Sequence, residues 1–181
     1  KFKTFLTKIG ILGEIEFDIH EVGRPIEFNW GKCPLATISY GHGITTTLIQ
    51  LAKAYSIISN GGFYIDPSLL KRNKIKKKKR VLNKDVSKKI LPILRKIVVT
   101  KDGTASLANV SGYEIGGKTG TANKSINGVY SNEKVNTFVS VFPTSRPQFV
   151  MALMLDESKR SESYIYNYRD GSNFKLLGTP R

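Results

Sequence analysis

The chain has 181 residues, the length of one domain, and its 40% hydrophobic content is that of a folded chain and excludes wholesale disorder. It carries 29 basic against 14 acidic residues, a net charge of +15 that favours anionic partners. One cysteine, Cys33, excludes an intrachain disulfide, and no apolar run reaches the roughly 20 residues of a membrane span.

The elements can be taken in chain order. Phe2, Phe5, Leu6, Ile9 and Ile11 have helical spacing, closed by Gly10 or Gly13. Residues 14–30 mix carboxylates, glycine and proline without a period and read as a loop with short extended pieces. Pro34 ends that region, and residues 36–38 are expected to form a brief strand. Cys33 is either a small core residue or an exposed thiol.

Thr45, Thr46 and Thr47 offer a hydroxyl cap to a helix whose apolar face is Leu48, Leu51, Ala52, Tyr55 and Ile58. Asn60-Gly61-Gly62 is its left-handed stop. Residues 63–67 read as a short strand entering a turn. Between Lys71 and Arg80 only Asn73 and Ile75 are not basic. Without interleaved aromatic residues this run does not suit stacking on single-stranded nucleic acid, and it reads as a solvated connector.

Asn83 or Asp85 caps a second helix through Val86, Ile90, Leu91, Leu94, Ile97 and Val98, with Pro92 inside it as a potential kink. Lys101-Asp102-Gly103 ends that helix, and a short helical turn follows at residues 104–108. Residues 125–136 are polar and are expected to form a mobile loop. Residues 137–142 and 148–155 are β-branched and aromatic runs around a Pro143–Pro147 connection, an antiparallel pair. Residues 164–169 could continue a strand, and Asp170-Gly171 is a turn. Helices followed by neighbouring strands give an α+β class with an antiparallel sheet flanked by helices.

The chemistry gathers at Tyr113-Glu114-Ile115-Gly116-Gly117-Lys118-Thr119-Gly120-Thr121-Ala122. In a strand Lys118 and Gly120 share one face and Thr119 and Thr121 the other. Glycines leave bare backbone that a ligand can approach closely. A cation and two hydroxyls beside such backbone suit an extended ligand that carries a carboxylate. Taken alone, the tripeptide also fits a Gly-rich strand end with a solvated lysine.

Lys-Thr-Gly is a known signature of penicillin-binding proteins and class A β-lactamases. Gly116-Gly117-Lys118-Thr119-Gly120-Thr121-Ala122 resembles the form in class B penicillin-binding proteins, the monofunctional peptidoglycan transpeptidases. Ile38-Ser39-Tyr40-Gly41-His42-Gly43-Ile44, Leu48-Ile49-Gln50-Leu51-Ala52, Asn60-Gly61-Gly62 and Pro67-Ser68-Leu69-Leu70 follow that family's order. Tyr-Gly-His-Gly is most similar to the septal, FtsI-type members. Where the family often has Pro, Leu48 stands, a harmless change in a first helical turn.

The resemblance implies a partial penicillin-binding, serine β-lactamase-like transpeptidase fold. Residues 1–181 would be the C-terminal segment of the transpeptidase domain, with the nucleophile-bearing part and the closing helix outside it. It implies a serine D,D-transpeptidase that cross-links stem peptides ending in D-Ala-D-Ala and is acylated by β-lactam antibiotics. It further implies other division proteins as partners and a place on the periplasmic side of the inner membrane, with the anchor outside this chain. Carried over residue by residue, Lys118 and Thr121 are catalytic, and Thr119, Gly120 and Thr121 bind substrate. No cofactor, metal or nucleic acid is expected; His20 and His42 lack partners at ligand spacing.

Two matches to other family motifs are decoys. Ser68-Leu69-Leu70-Lys71 fits Ser-x-x-Lys but follows Pro67 at a turn, and Ser125-Ile126-Asn127 fits Ser-x-Asn but comes after Lys118, in the wrong order. The rivals are an elongation-type class B relative, a β-lactam sensor of the same fold, and a basic polyanion-binding module using residues 71–80. The sequence alone leaves the nucleophile unplaced.

Overall fold

The computed structural model describes residues 1–20, 22–23, 25, 30–71, 79–126 and 129–158, together with the backbone of Tyr166–Asn167 and Asn173–Phe174. The side chains of residues 32–34 and 125 are outside that description. Among the described residues four α-helices precede the sheet strands: α1 Phe2–Lys8, α2 Lys32–Ile38, α3 Leu48–Ser59 and α4 Lys84–Val99. A 3-10 turn at Ser106–Ala108 leads to β1 Gly116–Ile126, β2 Val129–Phe142 and β3 Phe149–Asp156. These three strands form an antiparallel sheet in the order β1-β2-β3, and the short pair β4 Tyr166–Asn167 and β5 Asn173–Phe174 stands apart. The α+β expectation holds.

The helix ends follow the sequence. Gly10 takes φ +79 just after α1, and Gly61 and Gly62 take φ +88 and +87 after α3. Thr47 caps α3 in a reciprocal box: its hydroxyl accepts from Gln50 N at 3.3 Å, and Gln50 Oε1 accepts from Thr47 N at 2.8 Å. Asn83 caps α4, accepting from Asp85 N at 3.0 Å. Helix α4 runs through Pro92, which lies on its exposed side. There the carbonyl that proline leaves unpaired is within reach of water.

Four expectations need correction. Residues 36–38 are not a strand but the end of α2; Pro34 fits because it falls in a first turn, where backbone N–H groups have no helical partner anyway. Residues 63–67 make no strand, only a single antiparallel bridge from Phe63 to Arg80. The polar stretch 125–136 is not a loop where it is described: Ser125 and Ile126 end β1, and from Val129 it is the first half of β2, paired with β1 down to Ile126–Val129 past a shift in register, while residues 127–128 lie outside the described residues. Backbone pairing over that length outweighs the polar composition, because both strands keep those side chains near water.

The buried face of α3 is the fourth. The anticipated face, Leu48, Leu51, Ala52, Tyr55 and Ile58, is half-buried, whereas Gln50, Lys53, Ala54 and Ile57 are buried. The helix is covered on both sides, so Gln50, Lys53 and, at its end, Ser59 enter the core and must be satisfied there. Gln50, 1% exposed, donates to Gly13 O at 2.7 Å and Ile11 O at 3.4 Å. Lys53 donates to the Tyr64 hydroxyl at 2.6 Å, and its stem lies against Gly10.

Leu6, Ile9, Ile11, Ile38 and Ala54 form one core cluster. Helix α3 lies against β2 and β3, and α4 against β1. Val139 and Val141 are buried on the sheet face that shares Gly116, the side α4 occupies. On the opposite face Phe149, Met151, Leu153 and Leu155 of β3 stay exposed, with Phe142 stacked on Phe149 at 5.5 Å. The exposed apolar surface of the sheet thus lies mainly on β3. The middle of the basic run, residues 72–78, and the turn at Asp170-Gly171 lie outside the described residues.

Replacing Gln50 by Leu should destabilise the fold by about 1–3 kcal/mol, because the carbonyls of Ile11 and Gly13 lose their buried donor. Gly116→Val should cost a similar ~1–3 kcal/mol by overpacking against α4. Thermal midpoints of the variants against wild type check both; unchanged midpoints would mean that neither contact supports the fold.

Candidate active site

The candidate strand is built by what its glycines lack. A Cβ on Gly116 would lie 2.9 Å from Arg95 N, 3.1 Å from Leu94 C and 2.5 Å from Thr144 Cγ2, so only glycine lets β1 abut the backbone of α4. A Cβ on Gly117 would lie 2.8 Å from both the Phe138 ring and Val139 O. Arg95 donates to Ile115 O at 2.8 Å, and Thr144 N to Glu114 O at 2.9 Å. Ser145 donates to the Glu114 carboxylate through its backbone N–H and its hydroxyl, and these bonds hold Glu114 below the usual carboxylate range. The start of β1 is therefore pinned to α4 and to the β2–β3 connection.

Beyond that pin, β1 is one of the two outer strands of the described sheet, β3 being the other. Lys118 stands opposite Val139, Thr119 opposite Phe138, Gly120 opposite Thr137 and Thr121 opposite Asn136, so the expected alternation holds. Lys118 and Thr121 are exposed and Thr119 is half-buried. The Lys118 amine donates only to its neighbour's carbonyl, Thr119 O, at 2.5 Å among the bonds described. A Cβ on Gly120 would meet Thr137 Oγ1 at 2.5 Å, and that hydroxyl donates to Gly120 O at 3.4 Å. One cation, two hydroxyls and bare backbone thus lie together along a sheet edge. Such an edge can pair with an extended ligand while the side chains bind its negative end.

Two further residues adjoin the strand that the sequence did not point to. Thr121 Oγ1 donates to Asn136 Oδ1 at 3.1 Å, and Asn136 Nδ2 donates to Ser158 Oγ at 2.7 Å. Asn136 sat in the stretch read as loop; only the hairpin register brings it to Thr121. At the same end of the sheet Lys124 donates to Glu157 at 2.5 Å and Asp156 at 3.2 Å, bonds that raise its pKa above the ordinary lysine value. The Tyr-Gly-His-Gly loop also reaches the hairpin: Tyr40 and His42 rings are 5.6 Å apart, and His42 and Tyr130 rings 6.2 Å.

Ser68, of the Ser-x-x-Lys match, makes local bonds. Its hydroxyl accepts from Leu70 N and donates to Leu70 O, both at 3.1 Å, closing a tight local turn. Asp18 holds that turn by accepting from Leu69 N at 2.5 Å, and Lys71 is exposed. The side chain of Ser125, and Asn127 altogether, lie outside the described residues. Among the described residues no three His, Cys, Asp or Glu side chains gather into a possible metal site, and no helix is long and apolar enough to cross a membrane.

Comparison with known proteins bears on the family and the fold. The family model for the penicillin-binding protein transpeptidase domain matches residues 1–172. A probable peptidoglycan D,D-transpeptidase PenA of Neisseria flavescens is 35% identical over 137 residues, covering 75% of this chain and 34% of that protein. Peptidoglycan D,D-transpeptidase FtsI of Buchnera aphidicola subsp. Baizongia pistaciae is 32% identical over 163 residues, covering 87% and 28%. The apo transpeptidase domain of penicillin-binding protein 3 from Burkholderia pseudomallei superposes with a TM-score of 0.78 at 29% identity, covering 86% of this chain and 48% of that one. Penicillin-binding protein 3 of Mycobacterium tuberculosis, solved with ampicillin, has the same fold at a TM-score of 0.78 and 24% identity, with 86% and 39% covered. The chain thus spans about a third or less of the curated relatives and under half of the solved ones. A family match over nearly the whole chain, together with relatives above 30% identity, leaves one assignment: this chain belongs to the penicillin-binding protein transpeptidase domain family, in its class B branch.

Proposed function

We propose that the chain is the C-terminal segment of the transpeptidase domain of a septal peptidoglycan D,D-transpeptidase and supplies the carboxylate-binding wall of its active site. The observation that carries this reading is the edge strand with Lys118, Thr119, Gly120 and Thr121 in open register. The names of the matched relatives, FtsI and PenA D,D-transpeptidases, support the reaction and the septal role. The ampicillin complex of one structural neighbour supports β-lactams as ligands.

In this reaction a serine hydroxyl, supplied by the part of the domain outside residues 1–181, attacks the carbonyl carbon of the penultimate D-Ala. The C–N bond to the terminal D-Ala breaks, and that D-Ala leaves with the proton from serine. An amine of a neighbouring stem peptide then attacks the acyl-serine ester; its proton returns to serine and a new amide cross-link remains. Lys118 supplies positive field and takes part in moving the proton. The Thr119 and Thr121 hydroxyls hold the substrate's terminal carboxylate. The Thr121 N–H stabilises the oxyanion, a role worth about 3 kcal/mol for one donor in other hydrolases. Gly120 keeps the edge bare for the peptide. A β-lactam shares only the first step: the serine attacks its ring carbonyl, the ring C–N bond breaks, and the ring nitrogen takes the proton and stays attached to the acyl-serine.

The membrane anchor lies outside this chain in this reading, the domain faces the periplasm, and other division proteins bind the full-length protein. No described feature favours a polyanion-binding module.

In the full-length protein, Lys118→Ala should slow acylation by a fluorescent penicillin about a hundredfold while leaving the melting transition in place. An unaltered acylation rate would remove Lys118 from the site. The 181-residue chain alone should not be labelled at all. Hydroxylamine-sensitive labelling that vanishes in Ser68→Ala would show that the Ser-x-x-Lys match is the nucleophile after all.

A further inference from the structure

The turn at Ser68-Leu69-Leu70 presents two adjacent leucines to solvent: Leu69 is 68% exposed and Leu70 70%. Its backbone, not its side chains, holds it in place. Ser68 Oγ bonds both the N–H and the carbonyl of Leu70, and Asp18 Oδ2 accepts from Leu69 N and, at 3.4 Å, from Leu70 N. Asp18 is far away in sequence, so the turn is tied to the N-terminal segment and is not a loose local bend. Ile19, next to that clamp, is exposed as well.

Positive charge begins directly after Leu70. Lys71 is exposed, and eight of the ten residues from Lys71 to Arg80 are basic. The far end of this stretch is fastened: Tyr64 N donates to Lys79 O at 2.8 Å, Phe63 and Arg80 form an antiparallel bridge, and Arg80 lies over the Phe63 ring at 4.2 Å. The chain thus leaves and returns at one place, and leucines and cations share one loop with a closed base. The acids around it are engaged, Asp18 by the turn's N–H groups and Asp66 with Lys53 at 3.8 Å. The basic run by itself reads as a solvated connector; the leucines at its start change that.

We propose that this turn docks the protein on an anionic lipid surface, with Leu69 and Leu70 entering the acyl boundary and Lys71 and Lys79 among the headgroup phosphates. An apolar tip flanked by cations fits that interface on both counts. A soluble polyanion would engage the cations and leave the leucines in water, and an apolar groove on a protein would have no use for the cations. Asp18 and Ser68 are positioning residues: they hold the turn in the shape that presents both leucines, so less ordering is left to the encounter with lipid. The proposal uses no residue of the Lys118 strand and stands apart from the transpeptidase reading.

The test puts a reporter in the turn of the full-length protein: Leu70→Cys labelled with the polarity-sensitive dye NBD, all other cysteines replaced by serine. On mixed phosphatidylcholine–phosphatidylglycerol vesicles, lipids brominated in the acyl chain should quench the dye about twofold. Pure phosphatidylcholine vesicles, or about 0.5 M salt, should remove most of that quenching. Leu69→Ser, and separately Lys71→Ser with Lys79→Ser, should each reduce it by about half or more. Polyphosphate without vesicles, which offers charge and no apolar phase, should leave the emission unchanged. Melting transitions check the fold of each variant, and Leu69→Cys carries the dye if Leu70→Cys does not fold. Absence of quenching on the anionic vesicles would overturn the proposal, and so would equal quenching on neutral ones. Emission already blue-shifted without lipid would overturn it too, because another part of the protein would then cover the leucines. An equal shift with polyphosphate would do the same in favour of a soluble polyanion. Penicillin acylation of the same proteins reports on the transpeptidase reading separately and should be unaltered.

Discussion

The missing side chain at Gly116 is the constraint on which the site depends. At that point the backbone of β1 touches the backbone of α4 at Leu94 and Arg95, closer than any Cβ would permit. The contact fixes the start of the strand in depth, and Arg95 to Ile115 O fixes it along the helix. Helix α4 is in turn clamped to α3, because Ser87 donates to Ile58 O and accepts from Gly61 N at 3.1 Å. Lys118 comes two residues after the pin, so little freedom remains in where its Cα lies. A binding strand seated on a helix holds its groups more closely than a loop could.

The second support is α3, which carries polar side chains into the core and thereby joins separate parts of the chain. Gln50 bonds the carbonyls after α1, and its own backbone cap fixes its position on the helix. Lys53 is buried with its amine 4.2 Å from the Tyr64 ring centre and 3.8 Å from Asp66. Burial of a lone ammonium would be unfavourable; a phenol oxygen, an aromatic face and a carboxylate offset it. These bonds are directional, so they define which part of the N-terminal segment meets α3 where apolar contacts alone would allow sliding.

Local signals were legible where the chemistry was local. The Thr47 cap, the Gly61-Gly62 stop, the Asn83 cap and the apolar stripe of α4 all appear in the sequence as they do in the fold. The alternation of Lys118 and Gly120 against Thr119 and Thr121 was equally plain, and the register preserves it. What could not be read depended on partners distant in sequence. The polar half of β2 looks like a loop because its strand character comes from pairing with β1, not from its own residues. Gln50 and Lys53 look like surface positions because their partners, Gly13 and Tyr64, lie on other segments. Asn136 was missed for both reasons at once. Pro34 misled in the opposite way, since a residue that usually ends regular structure is well placed in the first turn of α2.

The edge that makes β1 useful is also a hazard. An unpaired strand edge is a template for any extended chain, a proper ligand or a second protein strand. The composition of β1 limits pairing with a second protein strand. Three glycines give the edge little side-chain surface to interlock with another strand, and they weaken any long pairing. Lys118 and Lys124 place positive charge along it, favourable for a carboxylate and unfavourable for a second copy of a chain with net charge +15. Lys124 is neutralised by Asp156 and Glu157, whereas Lys118 meets only a carbonyl among its described bonds. Among the described bonds the charge left uncompensated on the edge thus sits at Lys118, where it opposes the addition of a second positively charged strand.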